Sequence, residues 1–330
     1  MELIRTHAYA RAGLLGNPSD GYFGKTIALP VRNFRASVVL YEWPELEIML
    51  APQDRCSFNS LDDLCNDVRS HGYFGGLPLV KATVRKFWEY CRKHAIALHA
   101  RNFSLRYESN IPRQVGMAGS SAIIAATLRA LMQFYGVMIP LDIQPNLVLS
   151  VEREELGIAG GLQDRVCQVY ETLVFMNFDR HMIESRGYGE YVPLDPSLLP
   201  PLFMAYDVTL SEPSGIVHSN IRQRWEAGEP KVRQAMLDLA SYAEQGRAAI
   251  LAGDHARLSE LIDMNFEVRR GILDLDPRHV AMIELARSLG ASAHYAGSGG
   301  SIVGAYQGAE TFQKLKDEFA KMGCRVIRPA

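Results

Sequence analysis

The segment Pro112-Arg113-Gln114-Val115-Gly116-Met117-Ala118-Gly119-Ser120-Ser121-Ala122 carries two glycines, ends in paired hydroxyls and runs into an apolar stretch, Ile123 to Phe134. Glycine lets a backbone approach an anion closely, and the start of a helix offers unpaired N–H groups and the positive end of a dipole. The chemistry this combination suits is phosphate binding. No lysine follows Gly119, so the G-x-x-x-x-G-K-[ST] pattern of a P-loop is absent. A serine-hydrolase elbow fails too, because G-x-S-x-G would need glycine where Ile123 stands.

Two further Gly/Ser-bearing segments, Gly13 to Gly24 and Gly297 to Gly304, lie far away in sequence. Charged residues flank these segments, and each taken singly has a plain structural reading. Glu152 belongs to the run Glu152-Arg153-Glu154-Glu155, which reads as a solvated helix face. Asp164 falls in a first helical turn, where carboxylates favour the dipole. Arg11 and Asp20 could form a surface pair of little energetic weight. A chemical role for them rests on their occurring together.

The elements that must position these residues are mixed. The first hundred residues read mainly as strands and turns: 26–31 and 36–41 are β-rich, and 46–50 alternates as a half-buried strand does. A helical spacing runs from Leu79 to His94, followed by strand material at 97–99 and 103–107. After the glycine loop and its helix, further helices are predicted over 146–156 and 163–170, then a strand over 173–178. The proline-rich stretch 193–201 is the best linker. Beyond it a strand at 202–206 precedes helices over 231–251, 255–272 and 278–289. Strands at 293–295, 302–306 and 325–327 and a helix over 310–322 close the chain. This order reads as α+β and not as a doubly wound parallel sheet.

The segment Tyr9-Ala10-Arg11-Ala12-Gly13-Leu14-Leu15-Gly16-Asn17-Pro18-Ser19-Asp20, the central Gly-x-x-Gly-Ser-Ser-Ala loop and Ala296-Gly297-Ser298-Gly299-Gly300-Ser301 resemble, in order and spacing, the three motifs of the GHMP kinases. The resemblance covers most of the chain. Within that superfamily the wording A-R-x-G-L-L-G-N-P-S-D, I-P-R-Q-x-G-x-x-G-S-S-A and G-x-x-x-G-L-Q-D-R-V is most similar to the glucuronokinases, which phosphorylate D-glucuronate at its anomeric oxygen. The loop from Pro112 to Ser120 is one residue longer than the common P-x-x-x-G-L-G-S-S form, and the glucuronokinase wording shares that extra residue.

The resemblance implies a two-domain GHMP-kinase fold. Residues 1–195 would form a nucleotide-binding domain with a left-handed β-α-β crossover, and 196–330 a ferredoxin-like domain. It implies that Pro112, Gly116, Met117, Ala118, Gly119, Ser120 and Ser121 bind ATP, and that Ser121 and Glu152 hold Mg²⁺. Asp164 would be the catalytic aspartate, with Arg11 beside it. Asn17 and Asp20 would bind sugar hydroxyls, and Gly297, Ser298, Gly299 and Gly300 would line the substrate side. A uronate carries a carboxylate that calls for a cation, preferably an arginine. Arg113, Lys25 and Arg165 are the candidates, with Arg113 favoured for bordering the loop. The alternatives are a kinase for another sugar, such as galactose or a heptose phosphate, and a catalytically silent ligand sensor of the same fold.

The 330 residues, 48% of them hydrophobic and 22% charged, fit a globular protein of two domains. A net charge of -2 offers no footprint for nucleic acid or an acidic membrane surface. The odd count of five cysteines without a C-x-x-C pair reads as reduced thiols in a cytoplasmic protein. No secretory leader and no membrane span is expected, since the apolar runs are short and broken by Pro, Asp or Arg.

Overall fold

The computed structural model describes residues 3–49, 75–208 and 215–329. A long strand β1 (Leu3–Leu15) pairs antiparallel along nearly its whole length with β2 (Lys25–Glu42). The far edge of β2 takes β5 (Val174–Asn177) at one end and β4 (Phe103–Ser109) at the other. Short β3 (Glu47–Met49) and β6 (Glu190–Pro193) complete the sheet, β3 lying parallel to β4. The chain between that parallel pair includes α1 (Gly76–Lys93).

Where the sequence predicts separate strands at 26–31 and 36–41, the chain forms one continuous strand. Pro30 sits opposite Arg11 and lacks an N–H. The register then slips between Tyr9 and Ala10, so that residues 32–34 bulge instead of ending the strand. The expected strand at 97–99 is irregular. There His99 turns its ring onto Tyr135, with centroids 4.6 Å apart, and bonds the Phe134 carbonyl at 2.9 Å, so side-chain packing fixes the segment. The expected strand over 46–50 is realised as β3, and Leu50 lies outside the described residues.

The glycine loop feeds α2 (Gly119–Tyr135), which is the central helix of this layer. Ala122, Ile124, Ala125, Ala126, Leu128, Ala130 and Leu131 are buried on almost every side, against β1, β2 and α1. A helix so enclosed has little freedom to shift, and its N-terminus is correspondingly fixed. After α2 come α3 (Gln144–Ser150), a wide π turn at Val151–Glu155, α4 (Leu162–Tyr170) and, past β5, α5 (Arg180–Arg186). The single helix predicted over 146–156 is therefore broken at Val151, where the turn widens and carries Glu152 inward.

The stretch 193–201 leads to a second sheet of order β10-β7-β9-β8, antiparallel throughout. Its strands are β7 (Leu202–Asp207), β8 (His294–Tyr295), β9 (Ser301–Ala305) and β10 (Cys324–Ile327). Helices α6 (Gly215–Glu226), α7 (Pro230–Ala252), α8 (His255–Ile272) and α9 (Pro277–Ser288) separate β7 from β8, and α10 (Gly308–Lys321) separates β9 from β10. Strand, helices, two strands, helix, strand in this spatial order is the ferredoxin-like arrangement. Helix α7 lies on β2, so the helices between β7 and β8 also pack on the first sheet. Among the described residues, Cys91, Cys167 and Cys324 are buried free thiols, whereas Cys56 and Cys65 lie outside those residues. No described helix is long and apolar enough to cross a membrane.

Candidate active site

The three glycine-bearing segments meet. Backbone bonds join Arg11 N to the Met117 carbonyl at 3.3 Å and Gly13 N to the Ala296 carbonyl at 2.8 Å. The contact between the central loop and the turn at 297–300 is backbone on backbone. A methyl on Gly297 would come within 2.1 Å of the Gly116 carbonyl, and one on Gly116, at φ +70°, within 2.6 Å of the Gly299 carbonyl. Only glycine admits this approach. At the head of α2, Ala118 takes a left-handed conformation, φ 59°, and among the described residues no side chain caps the first-turn N–H groups of the helix. Those donors are what an anion would use. The extra residue of the loop is absorbed with Val115 and Met117 both buried, while Pro112 stays half-buried and Arg113 exposed.

Arg11 is the tie between the segments. Its guanidinium grips Asp164 with two parallel bonds, Nε to Oδ1 at 2.5 Å and Nη2 to Oδ2 at 2.7 Å. Nη1 donates to the Gly116 carbonyl at 2.7 Å and to that of Ala296 at 2.9 Å. A planar fork suits this task, since one group satisfies acceptors from three segments. Burial by itself would raise the Asp164 carboxyl. Arg11, then Arg165 and Gln163, outweigh burial and hold it at about 2. Asp164 is therefore firmly ionised at neutral pH.

Asp20 is placed beside this pair and behaves in the opposite way. It accepts the Gln163 backbone N–H at 3.2 Å. Burial, and then the negative charge of Asp164, push it up to about 6, against the opposing pull of that N–H and of Arg165 and Arg11. An aspartate whose folded pKa lies above its unfolded value stabilises the fold only while protonated, so stability falls as pH rises from about 4 to about 6. Asp20→Asn is accordingly expected to raise Tm at pH 7.5 by about 2–6 °C, a gain that vanishes near pH 4. Scanning calorimetry across that range checks it, and an equal shift at both ends would contradict it.

On the other side of Asp164, Glu152 is fully buried in the π turn. Its Oε1 accepts the Ser120 hydroxyl at 2.6 Å, and its Oε2 receives Arg165 through Nε at 2.8 Å and also through Nη2. Arg165 further reaches Asp164 Oδ2 at 3.4 Å and the Gly161 carbonyl at 2.8 Å. Ser121 is buried and donates to the Ala118 carbonyl at 3.2 Å. The hydroxyl that meets Glu152 is thus that of Ser120. Among the described residues no three His, Cys, Asp or Glu side chains gather as a cage for a metal. The donor set of one carboxylate and one adjacent hydroxyl still fits Mg²⁺, which keeps waters and shares the oxygens of a phosphate substrate.

The second sheet's helices supply the remaining wall. Asn265 of α8 accepts the Gly16 N–H at 2.7 Å, and Arg269, one turn on, donates to the carbonyls of Gly297 at 2.9 Å and Tyr295 at 3.4 Å. Asn17 Nδ2 donates to the same Tyr295 carbonyl at 3.3 Å. His294 bonds the Leu14 carbonyl at 2.7 Å, and burial, with Arg269 nearby, drives its pKa down to about 3, so it is neutral. Ser298 is half-buried in the turn, and His279 borders Gly299.

The residues singled out in the sequence lie in or beside this cluster except two: Arg113, which is exposed, and Lys25, which pairs with Glu244 at 2.5 Å on the exposed side. Sequence reasoning missed Gln163, Asn265 and Arg269. A signal for the last two exists. They fall on the stripe Leu258, Leu261, Ile262, Phe266 and Ile272, where a helix buries apolar side chains and a polar residue needs a reason.

The chain matches the family model described as GHMP kinases N terminal domain over residues 79–172. It is 45% identical over 327 residues to Glucuronokinase 1 of Arabidopsis thaliana, covering 97% of this chain and 90% of that protein. Among solved structures it resembles Streptococcus pneumoniae phosphomevalonate kinase, with TM-score 0.74 and 15% identity over 99% of this chain and 98% of that one. Lactococcus lactis galactokinase complexed with galactose is similar in fold, with TM-score 0.75 and 13% identity over 99% and 93% of the two chains.

Proposed function

This chain belongs to the GHMP kinase family, and we propose that it transfers the γ-phosphoryl group of ATP to the anomeric hydroxyl of D-glucuronate, giving glucuronate 1-phosphate. The observation that carries this reading is the Arg11–Asp164 pair wedged between the glycine loop and the 297–300 turn. The near full-length likeness to an Arabidopsis glucuronokinase supplies the sugar. Phosphoryl transfer needs positioning and charge stabilisation more than covalent help from the protein.

In this reading the uncapped N–H groups at Gly119, Ser120 and Ser121, with the backbone from Gly116 to Ala118, hold the phosphates of ATP. Pro112 starts the loop on that course. Asp164 accepts a hydrogen bond from the sugar O1–H and aims that oxygen at the γ-phosphorus. The O1–P bond forms as the bond from phosphorus to the β,γ-bridging oxygen breaks, and ADP leaves with that electron pair. A carboxylate held at about 2 is a weak base, yet in a loose transition state the hydroxyl keeps its proton until bond making is advanced; O1 bonded to phosphorus is then acidic enough to pass that proton to Asp164, which returns it to solvent. Arg11 keeps Asp164 ionised and sets positive charge beside the transferring group. Asn17 and Asp20 hold ring hydroxyls. Glu152 and a hydroxyl of the Ser120–Ser121 pair hold Mg²⁺, which when bound neutralises phosphate charge.

The test is ATP consumption by the purified protein over a panel of D-glucuronate, D-galacturonate, D-galactose, D-glucose and a heptose 7-phosphate. Preferred turnover of glucuronate is expected. Preferred turnover of a neutral hexose or the heptose phosphate would reassign the substrate. Binding of ATP with turnover of none would make the chain a ligand sensor.

A further inference from the structure

Three arginines meet at the junction of the glycine segments, and they are not equivalent. Arg11 is neutralised by Asp164 and Arg165 by Glu152. Arg269 is equally enclosed, 3% exposed, yet among the described residues it makes no salt bridge. Its contacts are the carbonyls of Tyr295 and Gly297 and the face of the Tyr295 ring, 5.0 Å from the guanidinium carbon. Its Nε finds no hydrogen-bond partner among the described residues. A buried cation facing only carbonyls and an aromatic ring is costly unless an anion comes to it.

Among the described residues, the polar groups around Arg269 are incomplete in the same way. Asn17, which shares the Tyr295 carbonyl with Arg269, has its Oδ1 buried without a partner. The Tyr295 hydroxyl and His279 Nε2 are likewise buried and unpartnered. His279 lies edge-on to Tyr295 at 5.9 Å and against Gly299, so both belong to the wall behind the 297–300 turn. Native proteins rarely leave several such atoms unsatisfied in one place, and a binding site is the ordinary reason.

We infer that Arg269 binds the carboxylate of the sugar acid, with the Asn17 carboxamide taking an adjacent hydroxyl of the same ring. This rests on the glucuronokinase reading above and deepens it. The assignment displaces Arg113, which is exposed, as well as Lys25 and Arg165, which are already paired with Glu244 and Glu152. It also accounts for the position of Arg269. From α8 the side chain contacts Gly297 of the turn and shares a carbonyl with Asn17 of the first motif, so it can reach the end of a sugar whose anomeric oxygen lies near Asp164.

The test compares D-glucuronate with its neutral isostere D-glucuronamide as acceptors, in wild type, Arg269→Lys and Arg269→Met, each at saturating ATP. Calorimetric titration of both sugars without ATP gives a readout independent of turnover. Wild type should prefer the acid. Arg269→Met should raise the KM and Kd for glucuronate by about 10- to 100-fold and erase the preference, with the ATP KM within about 2-fold of wild type. Arg269→Lys should retain part of the preference, because a point charge remains without the fork.

Equal losses for acid and amide would make Arg269 a structural clamp on the turn and overturn the proposal. So would a rise confined to the ATP KM, which would assign it to phosphate. If Arg269→Met does not fold, Arg269→Lys decides: an unchanged acid-to-amide preference refutes the assignment. Failure of the wild-type protein to use glucuronate would sink the functional reading itself, a result visible before any variant is made.

Discussion

Asp164→Asn is expected to lower kcat by about two to four orders of magnitude while changing the ATP KM little. The carboxylate is the group that, in the proposed reaction, aligns the sugar hydroxyl with phosphorus, and an amide presents one acceptor oxygen where two are in use. Both oxygens of Asp164 are committed to Arg11. The substitution therefore also leaves a buried guanidinium partly uncompensated, which costs stability by up to about 3–5 kcal/mol. The two effects separate in the double variant Arg11→Met/Asp164→Asn, which should regain much of the lost Tm and none of the lost rate. Steady-state kinetics with thermal melts on the three proteins checks this. A folded Asp164→Asn retaining kcat within tenfold of wild type would remove Asp164 from the reaction.

The same pair has a pH signature. Because the folded Asp164 pKa lies below the unfolded value of 3.8, at about 2, its contribution is fully present above about pH 4. It disappears as pH falls from there toward 2. Asp20 acts in the opposite sense, with its protonated form favoured by the fold up to about pH 6. One junction thus holds two aspartates whose environments drive them apart, the pattern that separates roles between neighbouring carboxyls.

The second large effect is expected from Glu152→Gln. Glu152 is fully buried, and Arg165 and the Ser120 hydroxyl converge on its two oxygens. Losing its charge leaves Arg165 with the 3.4 Å contact to Asp164 as its remaining ionic partner beside the neutral Gly161 carbonyl, so Tm should fall, with a free-energy loss of up to about 3–5 kcal/mol. The proposed metal role adds a distinct readout. The Mg²⁺ concentration needed for half-maximal activity should rise by at least about tenfold. Restoring the fold with Arg165→Met in the same chain should leave that requirement high. A Glu152→Gln protein with wild-type dependence on Mg²⁺ would show that Glu152 only anchors Arg165. Ser120→Ala and Ser121→Ala, titrated alongside, determine which hydroxyl joins it.

Much of this site is legible in the sequence. Three glycine segments, Arg11, Glu152 and Asp164 stood out because their spacing matched a known set of motifs, and the structure brings them into one cluster. The choice between Ser120 and Ser121 was not legible. Consecutive residues at a helix start point about 100° apart, and which one meets Glu152 depends on the π turn that moves Glu152 inward. The sequence predicts plain helix there because a widened turn keeps the same apolar spacing over so short a run.

Pro30 and Asn33 look like punctuation and so predict two strands, whereas a bulge opposite Tyr9 and Ala10 lets β2 continue as one. Arg269 was hidden for a different reason. No chemical motif marks it, and its importance comes from what it lacks among the described residues, a carboxylate partner, which only tertiary structure reveals. A single chain can still hint at it, through polar residues seated on the buried stripe of an amphipathic helix.

The most direct measurement is phosphorus NMR of the product formed from ATP, Mg²⁺ and D-glucuronate by the purified protein. The predicted result is a new phosphate-ester resonance coupled to the sugar H1 proton, growing in step with ADP. A resonance coupled to another ring proton would place the transfer on the wrong hydroxyl. No resonance at all with glucuronate, alongside turnover of a neutral hexose, would contradict the uronate kinase assignment.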